Sequence, residues 1–390
     1  MNVENFDLPF DPANYDYPMV AKLRQYLERL IEKGGSDLHI KANSPVYARI
    51  NGDIELLANE EMPKEDALLL AKELLKNRFK ELVEQKDVDM IFILDETYRF
   101  RANIFFQIDG ISAVFRVIPT QIKTIEELGL PEQVKKIAQL KRGLVLVTGI
   151  TGSGKSTTMA AIIDEINRTR AEHIITIEDP VEFVHKNKKC IVNQRSLGQD
   201  TPSYARALRA ALREDPDIIV IGEMRDLETI EMALHAAETG HLVFSTLHTL
   251  DAKETINRII SVFPAQEQNR IRIVLASVLE AILSQRLVKT KDGGRRAAVE
   301  IMVRTERIFD MIASGHEKEI GEVIEEGEIY GMQTFDQALL KLYQEGVIDE
   351  EEALSNASSR ADMALKIKQV KDEKRDDIVG GQDGVIDLKI

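Results

Sequence analysis

The chain has 390 residues, 66 Asp and Glu against 51 Lys and Arg, a net charge of −15 and one cysteine. That length allows two domains, and the acidic balance argues against a wholly basic nucleic-acid or lipid-binding surface. A single Cys excludes an intramolecular disulfide and a cysteine-only zinc site, and no apolar run approaches the roughly 18 residues of a membrane span.

Residues 1–16 read as a loosely held, acidic extension without the basic-then-apolar pattern of a signal peptide, which places the protein in the cytosol. Residues 17–118 read as a compact α+β domain. A helix carries Met19, Leu23, Leu27, Leu30 and Ile31 on one face and ends at Gly34-Gly35. Asp37–Ile40 follows, then a hairpin over Val46–Leu57 that turns at Asn51-Gly52. Pro63 opens a second helix, with Ala67, Leu70, Ala71, Leu74 and Leu75 facing inward. Two further strands, Tyr98–Phe105 and Ile111–Ile118, flank a turn at Asp109-Gly110.

Residues 119–123 read as a linker. Thr124-Ile-Glu-Glu127 has a capping-box pattern and predicts a helix start. From Gly143 apolar strand segments alternate with helices, at Leu144–Val147, Ile174–Ile177, Ile218–Ile221 and Leu242–Ser245. That alternation predicts an α/β domain with a mostly parallel sheet over 124–368. From about Arg270 to Lys368 the chain reads as helical, and 369–390 reads as a disordered tail whose last residues, Val385–Ile390, are apolar enough to dock a partner. Cys190 lies in a strand-like stretch and reads as a packed thiol.

The chemistry centres on Gly149-Ile-Thr-Gly-Ser-Gly-Lys-Ser156, which fits G-x-x-x-x-G-K-[ST] at every fixed position. A buried strand precedes it and a helix follows, the context that motif requires. Backbone N–H groups of Gly149, Thr151, Gly152, Ser153, Gly154, Lys155, Ser156 and Thr157 are candidates to cradle the phosphates of ATP. Lys155 reaches the β- and γ-phosphates, and the Ser156 hydroxyl ligates Mg²⁺.

In an open α/β sheet, ligands bind beyond the carboxyl ends of the strands. The second strand delivers Glu178-Asp179-Pro-Val-Glu182 and the third delivers Gly222-Glu223-Met-Arg-Asp226. The fourth is bracketed by His241 and His248. Glu223 is the candidate to activate the attacking water, directly or through the Mg²⁺ shell, with Glu178 and Asp179 as second candidates. His248 is a candidate sensor of the γ-phosphate. Arg101 and Arg116, on neighbouring strands of the first domain, are candidate arginine fingers, with Arg99 as an alternate on the same strand face.

These motifs, with Gly35-Ser-Asp-Leu-His39 and Gly331-Met-Gln-Thr-Phe-Asp336, resemble the secretion ATPases of type IV pili and type II secretion over roughly residues 19–368. Within that family the chain is most similar to the pilus-retraction branch, PilT and PilU. The resemblance implies a PAS-like N-terminal domain, a RecA-like ATPase domain, and nucleotide bound between the two, with Arg101 and Arg116 matching the family's N-domain arginines. It implies a cytoplasmic homohexamer at the inner-membrane base of a pilus. That ring would turn a platform protein and so remove pilin from the fibre, in company with a paralogous PilT or PilU ATPase. Neither nucleic acid nor membrane insertion is expected.

Two departures stand out. Assembly and secretion members usually carry a four-cysteine zinc motif, which one Cys cannot supply. The Ala-Ile-Arg-Asn-Leu-Ile motif of the retraction enzymes corresponds to Arg307-Ile-Phe-Asp-Met-Ile312, which keeps the apolar spacing alone. The alternatives are an assembly or secretion ATPase, a regulatory subunit that binds ATP without turnover, and, from another class, a RecA-like nucleic-acid motor.

Overall fold

The computed structural model describes residues 17–380 except Asn51, Glu96, Pro119 and Thr120, and describes backbone alone for 373–380. The expected N-terminal extension, most of the linker's start and the apolar tail end therefore lie outside the described residues. The chain divides into two compact units, meeting in sequence between Gln121 and Ile122.

The first unit contains α1 (Pro18–Glu32), β1 (Gly35–Lys41), β2 (Ser44–Ile50), β3 (Asp53–Met62), α2 (Lys64–Leu75), α3 (Phe79–Gln85), β4 (Asp87–Ile93), β5 (Arg99–Gln107) and β6 (Gly110–Ile118). Its six strands form an antiparallel sheet in the order β3-β2-β1-β6-β5-β4. Leu23, Leu27 and Leu30 of α1 join Phe92, Phe100 and Phe115 of the sheet in one core. The start of α1 has no side-chain cap of its own. Glu73 of α2 supplies one by accepting from the N–H groups of Met19 and Val20 at 3.0 and 2.9 Å. Strand β4 was not anticipated. Its residues Asp87-Val-Asp-Met alternate, with both aspartates exposed and Val88 buried on this edge strand.

The second unit contains α4 (Gln133–Ala138), β7 (Gly143–Thr148), α5 (Lys155–Thr169), β8 (His173–Glu178), β9 (Ile191–Ser196), α6 (Tyr204–Ala211), β10 (Ile218–Ile221), α7 (Leu227–Glu238), β11 (Leu242–Leu247), α8 (Ala252–Ser261) and α9 (Gln268–Val278). It continues with β12 (Leu279–Lys289), β13 (Arg295–Val303), α10 (Glu306–Ser314), α11 (Ile320–Glu326), α12 (Phe335–Gln344), α13 (Glu350–Asn356) and α14 (Arg360–Gly380). Seven strands form one sheet in the order β13-β12-β7-β11-β10-β8-β9, parallel throughout except for β13. All six residues of β7 are buried, and their alternation splits them between two cores. Leu144 and Leu146 pack with α7, α8 and α9, whereas Val145 and Val147 pack with α4 and α5. Burial on both faces explains why this strand reads as a continuous apolar run.

Three expectations are corrected. The stretch after Arg270 is not wholly helical, because β12 and β13 form an antiparallel hairpin on the sheet. Its turn holds Asp292, Gly293 at φ 84° and Gly294, the residue types a tight hairpin favours. At Thr124 the capping exchange does form, Glu127 N donating to Thr124 Oγ1 and Thr124 N to Glu127 Oε2. It closes a turn rather than a helix, ended by Gly129 at φ 62° and Pro131. The final helix does not stop near Lys368 but continues to Gly380. Val370 is buried against the unit and Lys371 pairs with Glu350, so the helix is held at its middle while no Gly or Pro interrupts it before Gly380.

Candidate active site

Parallel strands bring their carboxyl ends to one edge of the sheet. Thr148, Glu178, Ile221 and Leu247 end β7, β8, β10 and β11 there, and the chemistry follows each of them.

The loop after β7 folds through three glycines with positive φ, Gly149 at 144°, Gly152 at 79° and Gly154 at 88°. Gly154 also lacks room for a side chain, since a Cβ there would stand 2.9 Å from Nε2 of Gln285. Gln285, from β12, donates to the Ser153 carbonyl at 2.6 Å. Next to it, Thr148 Oγ1 donates to Ser284 Oγ at 3.0 Å. The loop is thus clamped from a strand more than a hundred residues away in sequence. Sequence reasoning missed both clamping residues because it read their strand as helix. The Asp292-Gly-Gly turn was the signal available to find it.

Lys155 opens α5 and is 8 % exposed. Burial pulls its pKa down, and the charges of Glu182 and Glu223 partly restore it. Its Nζ donates to the carbonyls of Gly149 and Ile150 at 2.8 and 3.0 Å, so its partners among the described residues are neutral. The Ser153 hydroxyl is buried without a partner. An under-neutralised cation and an orphaned hydroxyl, at a helix N-terminus, fit a phosphate chain. Ser156 and Thr157 follow on the first turn, half-buried.

Glu223 lies just past β10. Its Oε1 forms an ion pair with Arg225 Nε at 2.7 Å, and its Oε2 faces His248 Nε2 at 3.6 Å. Burial and the nearby Lys155 lower the His248 pKa, against the pull of Glu223, which favours the neutral imidazole. Glu178 is the more enclosed carboxyl. Burial raises its pKa, while Thr176 Oγ1 and Gln194 Nε2 donate to its Oε1 at 2.6 and 3.2 Å. Asp179 is exposed beside it. Gln194 from β9 and Tyr204 from α6 join this edge, and the sequence marked neither.

His241 does not belong here. It precedes β11, whose first residue pairs with Gly143 at the start of β7. Six strand residues at ~3.3 Å each put it about 20 Å from the carboxyl edge. There its Nδ1 lies 2.9 Å from the Ala236 carbonyl.

Arg101 and Arg116 lie in the first unit, directly paired across β5 and β6. Like charges placed opposite one another repel, and each is given an acid. Arg116 Nε donates to the buried Asp37 at 2.7 Å, and Arg101 Nε lies 3.8 Å from Asp89. Arg116 nevertheless remains 70 % exposed at its side chain.

A mostly parallel sheet with a phosphate loop, a carboxylate and a histidine at its carboxyl edge defines a P-loop ATPase. The chain belongs to the family described as Type II/IV secretion system protein, whose match covers residues 13–354. It is 47% identical over 327 residues to the type IV pilus retraction ATPase PilT of Pseudomonas aeruginosa, covering 84% of this chain and 95% of that protein. It is 40% identical over 349 residues to the type IV pilus ATPase PilU of the same organism, covering 89% and 91%. A crystal structure of the pilus retraction motor PilT with bound ADP superposes with a TM-score of 0.82 at 44% identity, over 87% of this chain and 98% of that one. Among the described residues no helix is long and apolar enough to cross a membrane.

Proposed function

We propose that the chain is a Mg-ATP-driven motor for retraction of a type IV pilus, working as a homohexameric ring on the cytoplasmic side of the inner membrane against a platform protein, alongside a PilU- or PilT-like partner. The observation that carries this reading is the 47% identity to a PilT that extends over 84% of the chain, both units included. The single cysteine supports retraction over assembly, because the four-cysteine motif usual in assembly and secretion members is missing. The first unit is read as PAS-like on its antiparallel sheet backed by helices.

In this reading Lys155 and the N–H groups of the loop hold the β- and γ-phosphates, and Ser156 would hold Mg²⁺, with Glu223 supporting it through water. The metal supplies charge neutralisation on the phosphates. Glu223 takes the proton of the attacking water, Arg225 and His248 fix its carboxylate, and His248 senses the γ-phosphate. Glu178 and Asp179 orient the water network. Arg101 and Arg116 compensate charge developing in the transition state. For Arg116 the grip of Asp37 on Nε leaves the terminal nitrogens free to do so.

The test is complementation of a piliated, retraction-deficient strain. Restoration of twitching by the wild-type chain, and not by Glu223→Gln, is the expected result. Active ATPase without any restoration would move the assignment to assembly or secretion.

A further inference from the structure

Gln194 lies on β9, the strand at the edge of the second sheet, and belongs to no motif considered above. β9 runs parallel to β8, and their register sets Gln194 beside Thr176. Thr176 and Glu178 are two residues apart on β8, so the three side chains share one face of the sheet. They meet at a single atom. Oε1 of Glu178 accepts from Thr176 Oγ1 at 2.6 Å and from Gln194 Nε2 at 3.2 Å.

The rest of the amide is engaged by the backbone of the segment that leaves β8. Gln194 Nε2 also donates to the Phe183 carbonyl at 2.8 Å, and Gln194 Oε1 accepts from His185 N at 2.8 Å. These two main-chain partners fix which way the amide faces. A flipped amide would set its NH₂ against an N–H and its oxygen against a carbonyl. Gln194 therefore presents a donor to Glu178. On the same segment Glu182 N donates to the other carboxyl oxygen, Oε2 of Glu178, at 3.4 Å.

We propose that Gln194 is a positioning residue of the ATPase reaction. Its amide ties the Glu178 carboxyl to the segment 181–185 and so sets the direction in which Glu178 meets the reacting water. This rests on the water-orienting role proposed above for Glu178. Burial works against the charged carboxyl, and the donors Thr176 and Gln194 work for it. The bonds that aim the group thus also favour its ionised form.

The experiment measures steady-state ATP hydrolysis and thermal melting of the full chain as wild type, Gln194→Met, Gln194→Glu, Glu178→Gln and the double variant Gln194→Met with Glu178→Gln. Gln194→Met keeps the length of the side chain and removes the amide. Loss of a hydrogen bond to a charged group corresponds to a kcat fall of about tenfold. The expected result is that fall with KM for ATP unchanged, because Lys155 and the phosphate loop are untouched. Gln194→Glu keeps an acceptor for His185 N but sets an acid against Glu178, and should lose at least as much. Glu178→Gln should lower kcat by itself. Adding Gln194→Met to it should then cost less than it costs the wild type, because no carboxylate is left to aim. A glutamine that only supports the fold would lower the melting temperature and cut kcat by the same factor in both backgrounds, and that result would overturn the proposal. So would wild-type kcat in either Gln194 variant while Glu178→Gln is impaired. Wild-type kcat in Glu178→Gln would instead remove the role of Glu178, and the proposal with it.

Discussion

Gln285 donates to the carbonyl of Ser153 at 2.6 Å, so a side chain of β12 holds the middle of the phosphate loop. The bond is buried, and its loss leaves the Ser153 carbonyl unsatisfied at a cost of about 1–3 kcal/mol. Gln285→Ala should therefore loosen the loop and weaken nucleotide affinity by about tenfold or more. Titration with a fluorescent ATP analogue checks this. Unchanged affinity would show that the loop keeps its shape without the clamp.

Glu223 and Lys155 should separate binding from turnover. Lys155→Ala removes the buried cation and should abolish nucleotide binding. Glu223→Gln keeps the size of the side chain and should retain binding while turnover falls by about 10²-fold or more. Equilibrium binding and steady-state hydrolysis on the same preparations make the comparison.

Arg116→Ala should lower turnover with binding retained, because the lost group acts on developing charge. It also takes the charged partner from Asp37, which is 5 % exposed at its side chain, so a lower melting temperature should accompany it. Mixing Arg116→Ala with Lys155→Ala tests action between subunits. Recovery of activity above the sum of the two variants is expected if each nucleotide takes its arginine from a neighbour in the ring.

Glu300 makes stability depend on pH. It is buried on β13, accepts from Ala252 N at 2.9 Å, and titrates at about 7 instead of 4.5. Burial is the main cause, and the charges of Asp251 and Asp336 add to it against the Ala252 N–H and Arg286. The folded chain holds this proton more tightly than the unfolded one. The stabilisation is complete below about pH 4.5 and is lost as pH rises through 7, by up to about 3 kcal/mol. Glu300→Gln should thus gain stability relative to wild type at pH 8 and show little difference near pH 5, measured by denaturant unfolding at both pH values.

Much of this architecture was legible in the sequence because local signals agreed. Leu144–Thr148 is apolar, β-branched and followed by a glycine-rich turn, so strand, loop and helix start are fixed together. The Asn51-Gly52 and Asp109-Gly110 turns placed two hairpins in the same way. What escaped detection depends on tertiary pairing. Ser284 and Gln285 are polar residues in a strand whose apolar neighbours also suit a helix, and only pairing with β7 and β13 decides between the two. Tyr204 is an ordinary helix residue until α6 packs across the ends of β8 and β10. His241 shows the converse. It sits one residue before a strand whose start was correctly identified, at the amino edge of the sheet, and strand direction determines which histidine meets the nucleotide.

The central claim is that this chain hydrolyses ATP at the phosphate loop through Glu223 within a ring. Steady-state ATPase activity measured together with mass in solution, with Mg²⁺ and ATP present, tests it most directly. The account predicts a hexamer whose turnover disappears in Glu223→Gln. A monomer without turnover, or a hexamer whose turnover survives that substitution, would contradict it.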